Sequence, residues 1–361
     1  MKLSIKSSVM WKYIGQEQAV LTQQMRSRQT YEYADQNGES IQTIYFVAHG
    51  SSFNAAVCME GFFSRFARIR AFAYTPGKFQ SGGSPILLED PATTLVVVIS
   101  QTGTSTGAIR SLGYAHSLGF RTLGITAESK SPLAEIAQHT LYLLCGLEES
   151  NAKTMGYSAT LLLLMLLALA LGSRKGVLDI VERDICLDEL ERMIQLVPEV
   201  LEQTKFFCEQ TTFGEGLYDL YVIGSGMNLG TAQEGQLKLM ETMCIPTMFN
   251  DIGEFSHGMH RAINSDSSVL LIRSADNQEG LIQQAYSSLT RITNKVWMID
   301  TSADPTASLK CLRIPSFPKT GSLILVTLAV QVMSVFAPEY NDLDPNRSAH
   351  DDFVQLLGTR L

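Results

Sequence analysis

Residues 100–107, Ser-Gln-Thr-Gly-Thr-Ser-Thr-Gly, form an unbroken polar stretch between an apolar β-branched run and a helical pattern that begins at Ala108-Ile109. The first turn of a helix carries unpaired backbone N–H groups and the positive end of the helix dipole, which together suit an anion, above all a phosphate. Five hydroxyls in the seven positions 100–106 add donors without adding charge. Helix capping alone would be met by one or two of them, so the cluster points to capture of a small phosphorylated molecule. A second group lies far along the chain. Lys238 and Glu241 are three apart on a helical stretch, so they share a face, and Leu237, Leu239, Met240 and Met243 around them make partial burial expected. Alone, the pair reads as a surface ion pair worth roughly a few tenths of a kcal/mol. The polar, glycine-bracketed segment 250–258 then adds His257. A carboxylate and an imidazole suit proton transfer on a sugar carbon skeleton near neutral pH, whereas a lone histidine is more often structural.

The elements that must position these residues alternate between strand and helix. Residues 44–48 read as a short buried strand, closed by His49-Gly50-Ser51-Ser52-Phe53-Asn54 and followed by a helix over 55–67. Further strands are expected at 70–74, 95–100, 122–126 and 141–145, with a helix over 108–118 ended by Gly119. This rhythm predicts an α/β fold, a doubly wound parallel sheet with helices on both faces. Ligands of such sheets sit beyond the carboxyl ends of the strands. Loops 49–54 and 100–107 both fall there, so a shared site is expected.

A helical section runs from 155 to about 204, with an apolar helix over 158–171, a break at 172–176 and an amphipathic stretch over 187–197. The plan then restarts. A strand at 220–223 is closed by Gly224-Ser225-Gly226-Met227-Asn228 and followed by a helix over 230–243. Strands at 268–272, 296–299 and 311–314 mirror those at 95–99, 122–125 and 141–144. The pattern is an internal duplication: two tandem domains over 31–175 and 205–340, joined by a helical connection over 176–204. A helical segment, 1–30, precedes them, and a tail, 341–361, is expected to close the site. The loop 273–279 has acidic side chains and no hydroxyl cluster, so the second half is not expected to bind phosphate.

Composition narrows the class. A chain of 361 residues that is 45% hydrophobic and 18% charged is an ordinary globular protein with ample core. A net charge of −8 with no basic stripe argues against nucleic acid. No apolar run follows Met1-Lys2-Leu3-Ser4-Ile5-Lys6, so no secretory signal is expected, and the twelve apolar residues 161–172 fall short of the ~20 that span a bilayer. The six cysteines have no CxxC spacing and read as reduced residues of a cytoplasmic protein. His257 and His260 lie three apart without a third ligand, so neither a metal nor another cofactor is expected.

Four ordered motifs carry a family resemblance over residues 40–350. Ser100-Gln101-Thr102-Gly103-Thr104-Ser105 resembles the Ser-Gln-Ser-Gly-Glu-Thr phosphate loop of the double-SIS (sugar isomerase) proteins, and Gly50-Ser51-Ser52 resembles their Gly-Thr-Ser loop. Residues 234–241, Glu-Gly-Gln-Leu-Lys-Leu-Met-Glu, resemble Glu-Gly-Ala-Leu-Lys-Leu-Lys-Glu, and residues 253–258, Gly-Glu-Phe-Ser-His-Gly, resemble Gly-Glu-Leu-Lys-His-Gly. That family includes the isomerase half of glucosamine-6-phosphate synthase and the deglycases of glycated amino acid 6-phosphates. The resemblance implies that Ser52, Ser100, Gln101, Thr102 and Ser105 bind a sugar phosphate, with Lys238 as a charge partner. Glu241 is then the base that moves a proton between C1 and C2. His257, which in this family can arrive from a neighbouring subunit, assists ring opening or protonates the leaving group. A homodimer or higher homo-oligomer is implied as well.

The departures matter equally. Thr104 replaces the loop glutamate, and Lys153 stands where the synthase-like Val-Ala-Ser-Thr-Lys places a sugar-contacting serine. Residues 344–350, Asp-Pro-Asn-Arg-Ser-Ala-His, resemble the synthase tail, but His350 occupies the place of its Schiff-base lysine. A histidine cannot form that adduct. No nucleophilic N-terminal cysteine or glutaminase segment precedes residue 40, so glutamine-dependent synthesis is not expected. The expected activity is therefore a deglycase or deaminase, with plain aldose–ketose isomerisation as the alternative. A phosphosugar sensor would need the 100–105 loop but not Glu241 or His257. It would usually carry a DNA-binding segment as well, and 1–40 offers only 11–28 as a candidate helix.

Overall fold

A computed structural model describes residues 8–275, 279–304, 306–347 and 349–360. It contains two five-stranded sheets in which every strand pairing is parallel. The first is built from β1 (Thr43–Ala48), β2 (Arg70–Tyr74), β3 (Thr94–Ile99), β4 (Arg121–Thr126) and β5 (His139–Tyr142), in the order β2-β1-β3-β4-β5. The second uses β6 (Leu220–Gly224), β7 (Thr247–Asp251), β8 (Val269–Arg273), β9 (Val296–Asp300) and β10 (Cys311–Arg313), in the order β10-β9-β8-β6-β7. Read from its other edge, the second order is the first one repeated. The duplication is thus one of topology, in the expected α/β class.

The central strands form because both of their faces are covered. Every residue of β1 and β3 is buried, which is why they read as continuous apolar runs and not as an alternation. Tyr45, Val47, Val96 and Val98 pack with Phe79, Leu112 and Leu133 of the helices Pro76–Gln80, Thr106–Ser117 and Pro132–Ile136. On the opposite face Phe46 meets Phe63 of the helix Gly50–Ala67 edge-on, ring centres 5.1 Å apart. In the second sheet Ile223, Val269, Leu271 and Met298 pack with Ile282 and Tyr286 of the helix Glu279–Leu289.

Several elements depart from expectation. Ser51 and Ser52 lie in the first turn of the helix Gly50–Ala67, not in a loop before it. Asn250 and Asp251 belong to β7, an edge strand hidden by its polar end. The apolar helix is Met155–Arg174, 20 residues and long enough by composition to cross a membrane, yet its apolar stretch is wholly buried within the fold. A helix apolar on every side is a core helix in such a setting. Ile180–Thr211 runs as one 32-residue helix through Pro198. The N-terminal segment holds three short helices, Val9–Ile14, Glu17–Arg26 and Gln29–Asn37, where one over 11–28 was expected. All six cysteines are free thiols; four are buried, Cys311 is half-buried and Cys244 is exposed. Of the acidic loop 273–279, residues 276–278 lie outside the described residues.

The described residues fall into two compact units. One contains those of Met1–Gln18, Glu149–Thr154 and Cys186–Arg347, with the second sheet. The other contains those of Ala19–Glu148, Met155–Ile185 and Ser348–Leu361, with the first sheet.

Candidate functional site

In the unit with the first sheet, β1 and β3 are neighbours whose connections leave toward opposite edges. This is the switch point at which open α/β sheets bind ligands. Beyond the carboxyl end of β1 come His49 and the helix bearing Ser52; beyond that of β3 comes the 100–107 loop. Ser100 is buried, its amide donating to Ile125 O at 3.0 Å and its carbonyl accepting from Gly103 N at 3.0 Å. The Thr102 and Thr104 hydroxyls bond each other at 2.9 Å. Ser105 is the N-cap of the helix Thr106–Ser117, and its side chain makes no capping bond, so its hydroxyl is not consumed by the helix.

Gly103 is what lets the loop close. Its φ is +66°, and a Cβ there would lie 2.1 Å from Ser131 Oγ. Only glycine meets both conditions without strain. Gly103→Ala is expected to lower affinity for a sugar phosphate by at least about tenfold and stability by about 1–3 kcal/mol. Calorimetric titration and thermal unfolding measure the two effects, and native affinity in the variant would show that loop shape does not govern binding.

Gln101 behaves differently from its hydroxyl neighbours. Its amide nitrogen donates to Glu148 Oε1 at 3.2 Å and to Gly146 O at 3.3 Å, so in this state the side chain braces the loop. Cys145 Sγ lies 3.7 Å from the same nitrogen, and burial pushes its thiol up to about 12, leaving it a neutral neighbour. The chain terminus also reaches the loop. Thr106 N donates to Thr359 O at 3.2 Å, Thr106 Oγ1 donates to Gly358 O at 3.2 Å, and Ser105 forms an antiparallel bridge with Arg360. His350, in the same unit, is exposed with φ of +57° just ahead of the helix Asp351–Leu357.

In the unit with the second sheet, the helix Asn228–Met243 aligns Glu234, Lys238 and Glu241 on one face. Lys238 is 1% exposed, with Nζ 2.6 Å from Glu241 Oε2 and 3.6 Å from Glu234 Oε1. Glu234 is buried too, whereas the Glu241 side chain is 36% exposed. The arrangement is thus a buried ammonium behind an accessible carboxylate. Glu241 lies in the last helical turn, at the negative end of the dipole, and the ammonium offsets that disfavour. His257 follows the short helix Ile252–Phe255 and is exposed. No hydrogen bond joins its ring to Glu241, while His260 Nδ1 is 3.2 Å from Phe255 O. Lys153 Nζ donates to Ser150 O at 2.9 Å. Where the first half has an open hydroxyl loop, the end of β8 carries an ion pair, Arg273 Nη1 3.1 Å from Asp300 Oδ2, with both side chains buried. Among the described residues, no group of three or more His, Cys, Asp or Glu is placed to hold a metal.

The sequence model of the SIS domain matches residues 39–170 and 219–337. This chain belongs to the SIS-domain family. The two matched segments carry the two sheets and both groups of site residues. Among curated relatives, the glutamine–fructose-6-phosphate aminotransferase (isomerizing) of Clostridium perfringens is 26% identical over 310 residues, covering 85% of this chain and 50% of that protein. The chain therefore spans about half the length of that SIS relative. Among solved structures, the C-terminal domain of the Francisella tularensis glucosamine-fructose-6-phosphate aminotransferase superposes with a TM-score of 0.86 at 17% identity, covering 95% of this chain and 98% of that one. A glucosamine-6-phosphate deaminase from Thermotoga maritima gives 0.76 at 20% identity, covering 95% and 98%. At these identities the structural likeness establishes the shared SIS fold.

Two polar residues escaped the sequence reading. Glu148 sits in an irregular segment with no periodicity to mark it, and only its contacts with Gln101 and Gly156 reveal it. His49 was read only as the start of a closing loop. It is the N-cap of the helix Gly50–Ala67, and its ring lies against Gly107, where a Cβ would come within 2.7 Å of His49 Cε1.

Proposed function

We propose that this SIS protein is a phosphosugar-processing enzyme that releases an amine from an Amadori-type or amino-sugar 6-phosphate to give a hexose 6-phosphate. The observation that carries the reading is the half-exposed Glu241 carboxylate held 2.6 Å from the buried Lys238 ammonium. A sensor needs only to bind, and this is an arrangement for proton transfer. The 100–107 loop, with Ser52, Ser100, Thr102 and Ser105, holds the phosphate and fixes the open-chain sugar, which contributes orientation and uniform binding. In a 1-amino-2-ketose, Glu241 removes a proton from C1 and the electron pair forms the C1–C2 double bond of an enaminol. Return of the proton to C2 gives the C1 imine. Water then adds to C1 and the C–N bond breaks, yielding amine and aldose 6-phosphate. Lys238 orients the base, and His257 opens the ring or protonates the departing nitrogen. On this reading the enzyme works as a homodimer or higher homo-oligomer in the cytoplasm.

The same proton shuttle without a nitrogen substituent is an aldose–ketose isomerisation. Incubation with glycated amino acid 6-phosphates, glucosamine 6-phosphate and fructose 6-phosphate, with amine and sugar phosphate followed separately, distinguishes the two. Amine release in step with hexose 6-phosphate is the expected result. Interconversion of sugar phosphates with no amine substrate turned over would establish the isomerase instead, and binding without turnover of any of them would favour the sensor.

A further inference from the structure

Several bonds tie the 100–107 loop to the rest of its unit, and Gln101 makes those that reach the 146–148 segment. Gln101 is held at both ends: its backbone carbonyl accepts from Ala127 N at 2.8 Å and Thr126 Oγ1 at 3.1 Å, and its amide nitrogen donates to the 146–148 segment. The acceptor that matters is Glu148, 6% exposed, because its Oε1 also accepts from Gly156 N at 2.7 Å. Gly156 belongs to the first turn of the fully buried part of the helix Met155–Arg174, where N–H groups without intrahelical acceptors and the dipole favour a carboxylate. The fit is tight: a Cβ on Gly156 would lie 2.4 Å from the Gln101 amide carbon. One carboxylate oxygen thus joins the loop to a buried core helix.

We propose that Glu148 is the positioning residue of the phosphate loop, acting through Gln101 to hold the Ser100 and Thr102 donors in their binding geometry. This rests on reading 100–107 as the phosphate cradle. Preorganised donors bind an anion without first having to be ordered, and a loop cut loose from Glu148 loses that advantage. The carboxylate does not touch the ligand.

The test separates this inference from the reading beneath it. Hydrogen exchange of 100–107 is compared in the ligand-free wild type, Glu148→Ala and Glu148→Gln, and affinities for inorganic phosphate and glucosamine 6-phosphate are measured by calorimetry. Glu148→Ala is expected to speed exchange in the loop and to weaken both ligands about tenfold or more. Glu148→Gln keeps the oxygen acceptor and is expected to recover most of the affinity. Gln101→Met, which leaves the Glu148–Gly156 bond intact, should reproduce the loss even if Glu148→Ala folds poorly, and the double variant should be no weaker than Gln101→Met alone. Additive losses, or unchanged loop exchange in Glu148→Ala and Gln101→Met, would overturn the proposal. Faster exchange with unchanged affinities would uphold the positioning role and overturn the phosphate reading.

Discussion

Glu241→Gln is expected to lower turnover by about 10²–10⁴-fold and to leave affinity for the sugar phosphate within about twofold. The amide keeps the size of the side chain and one oxygen for Lys238 but cannot take a proton. Nothing in the phosphate loop changes, so the part of the binding free energy that comes from the phosphate is retained. The loss therefore falls in kcat and not in KM, the signature of an interaction made only in the transition state. Steady-state rates on the substrate identified by the panel, together with calorimetric titration of the inactive variant, measure both quantities. Full activity in Glu241→Gln would show that another group is the base. An equal loss of binding would show that the carboxylate holds substrate in the ground state.

The fold was legible where burial forces a pattern. β1 and β3 lie between helices on both faces, so their sequences could only be unbroken apolar runs, and their ends were visible within a residue or so. β7 was not legible. It is an edge strand with Asn250 and Asp251 at its polar end, and it looks like the loop that follows it. The amphipathic stretch read over 187–197 runs on through Pro198; the helix Ile180–Thr211 keeps a buried stripe on either side of it, from Leu190 to Val197 and from Val200 to Phe207. Among site residues, the Lys238–Glu241 pair could be read from spacing alone, because positions three apart on a helix must share a face. What spacing could not give was depth. Lys238 is almost wholly enclosed, and the depth changes the pair from a surface ornament into a structural charge with large consequences. Gln101 shows the opposite limit. Its place in the loop suggested a ligand contact, and only the fold reveals that its amide is engaged with Glu148.

That enclosed ammonium sets the largest stability effect. Lys238→Met fills nearly the same volume but leaves the Glu234 carboxylate, 2% exposed, without the cation 3.6 Å away. Breaking a buried pair by removing one partner costs about 3–5 kcal/mol, because the remaining buried charge loses the attraction of its counterion. Lys238→Met is accordingly expected to lose stability on that scale in urea unfolding, with an unchanged m value. The cause can be isolated by removing the Glu234 charge as well. Lys238→Met combined with Glu234→Gln is expected to recover more than half of the loss, whereas Lys238→Met combined with Glu241→Gln should recover little, since the Glu241 side chain is 36% exposed and water solvates it when its partner is gone. A wild-type unfolding midpoint for Lys238→Met would refute the buried-charge account. Equal recovery by both second substitutions would show that the cost comes from lost packing around residue 238 and not from the carboxylate left behind.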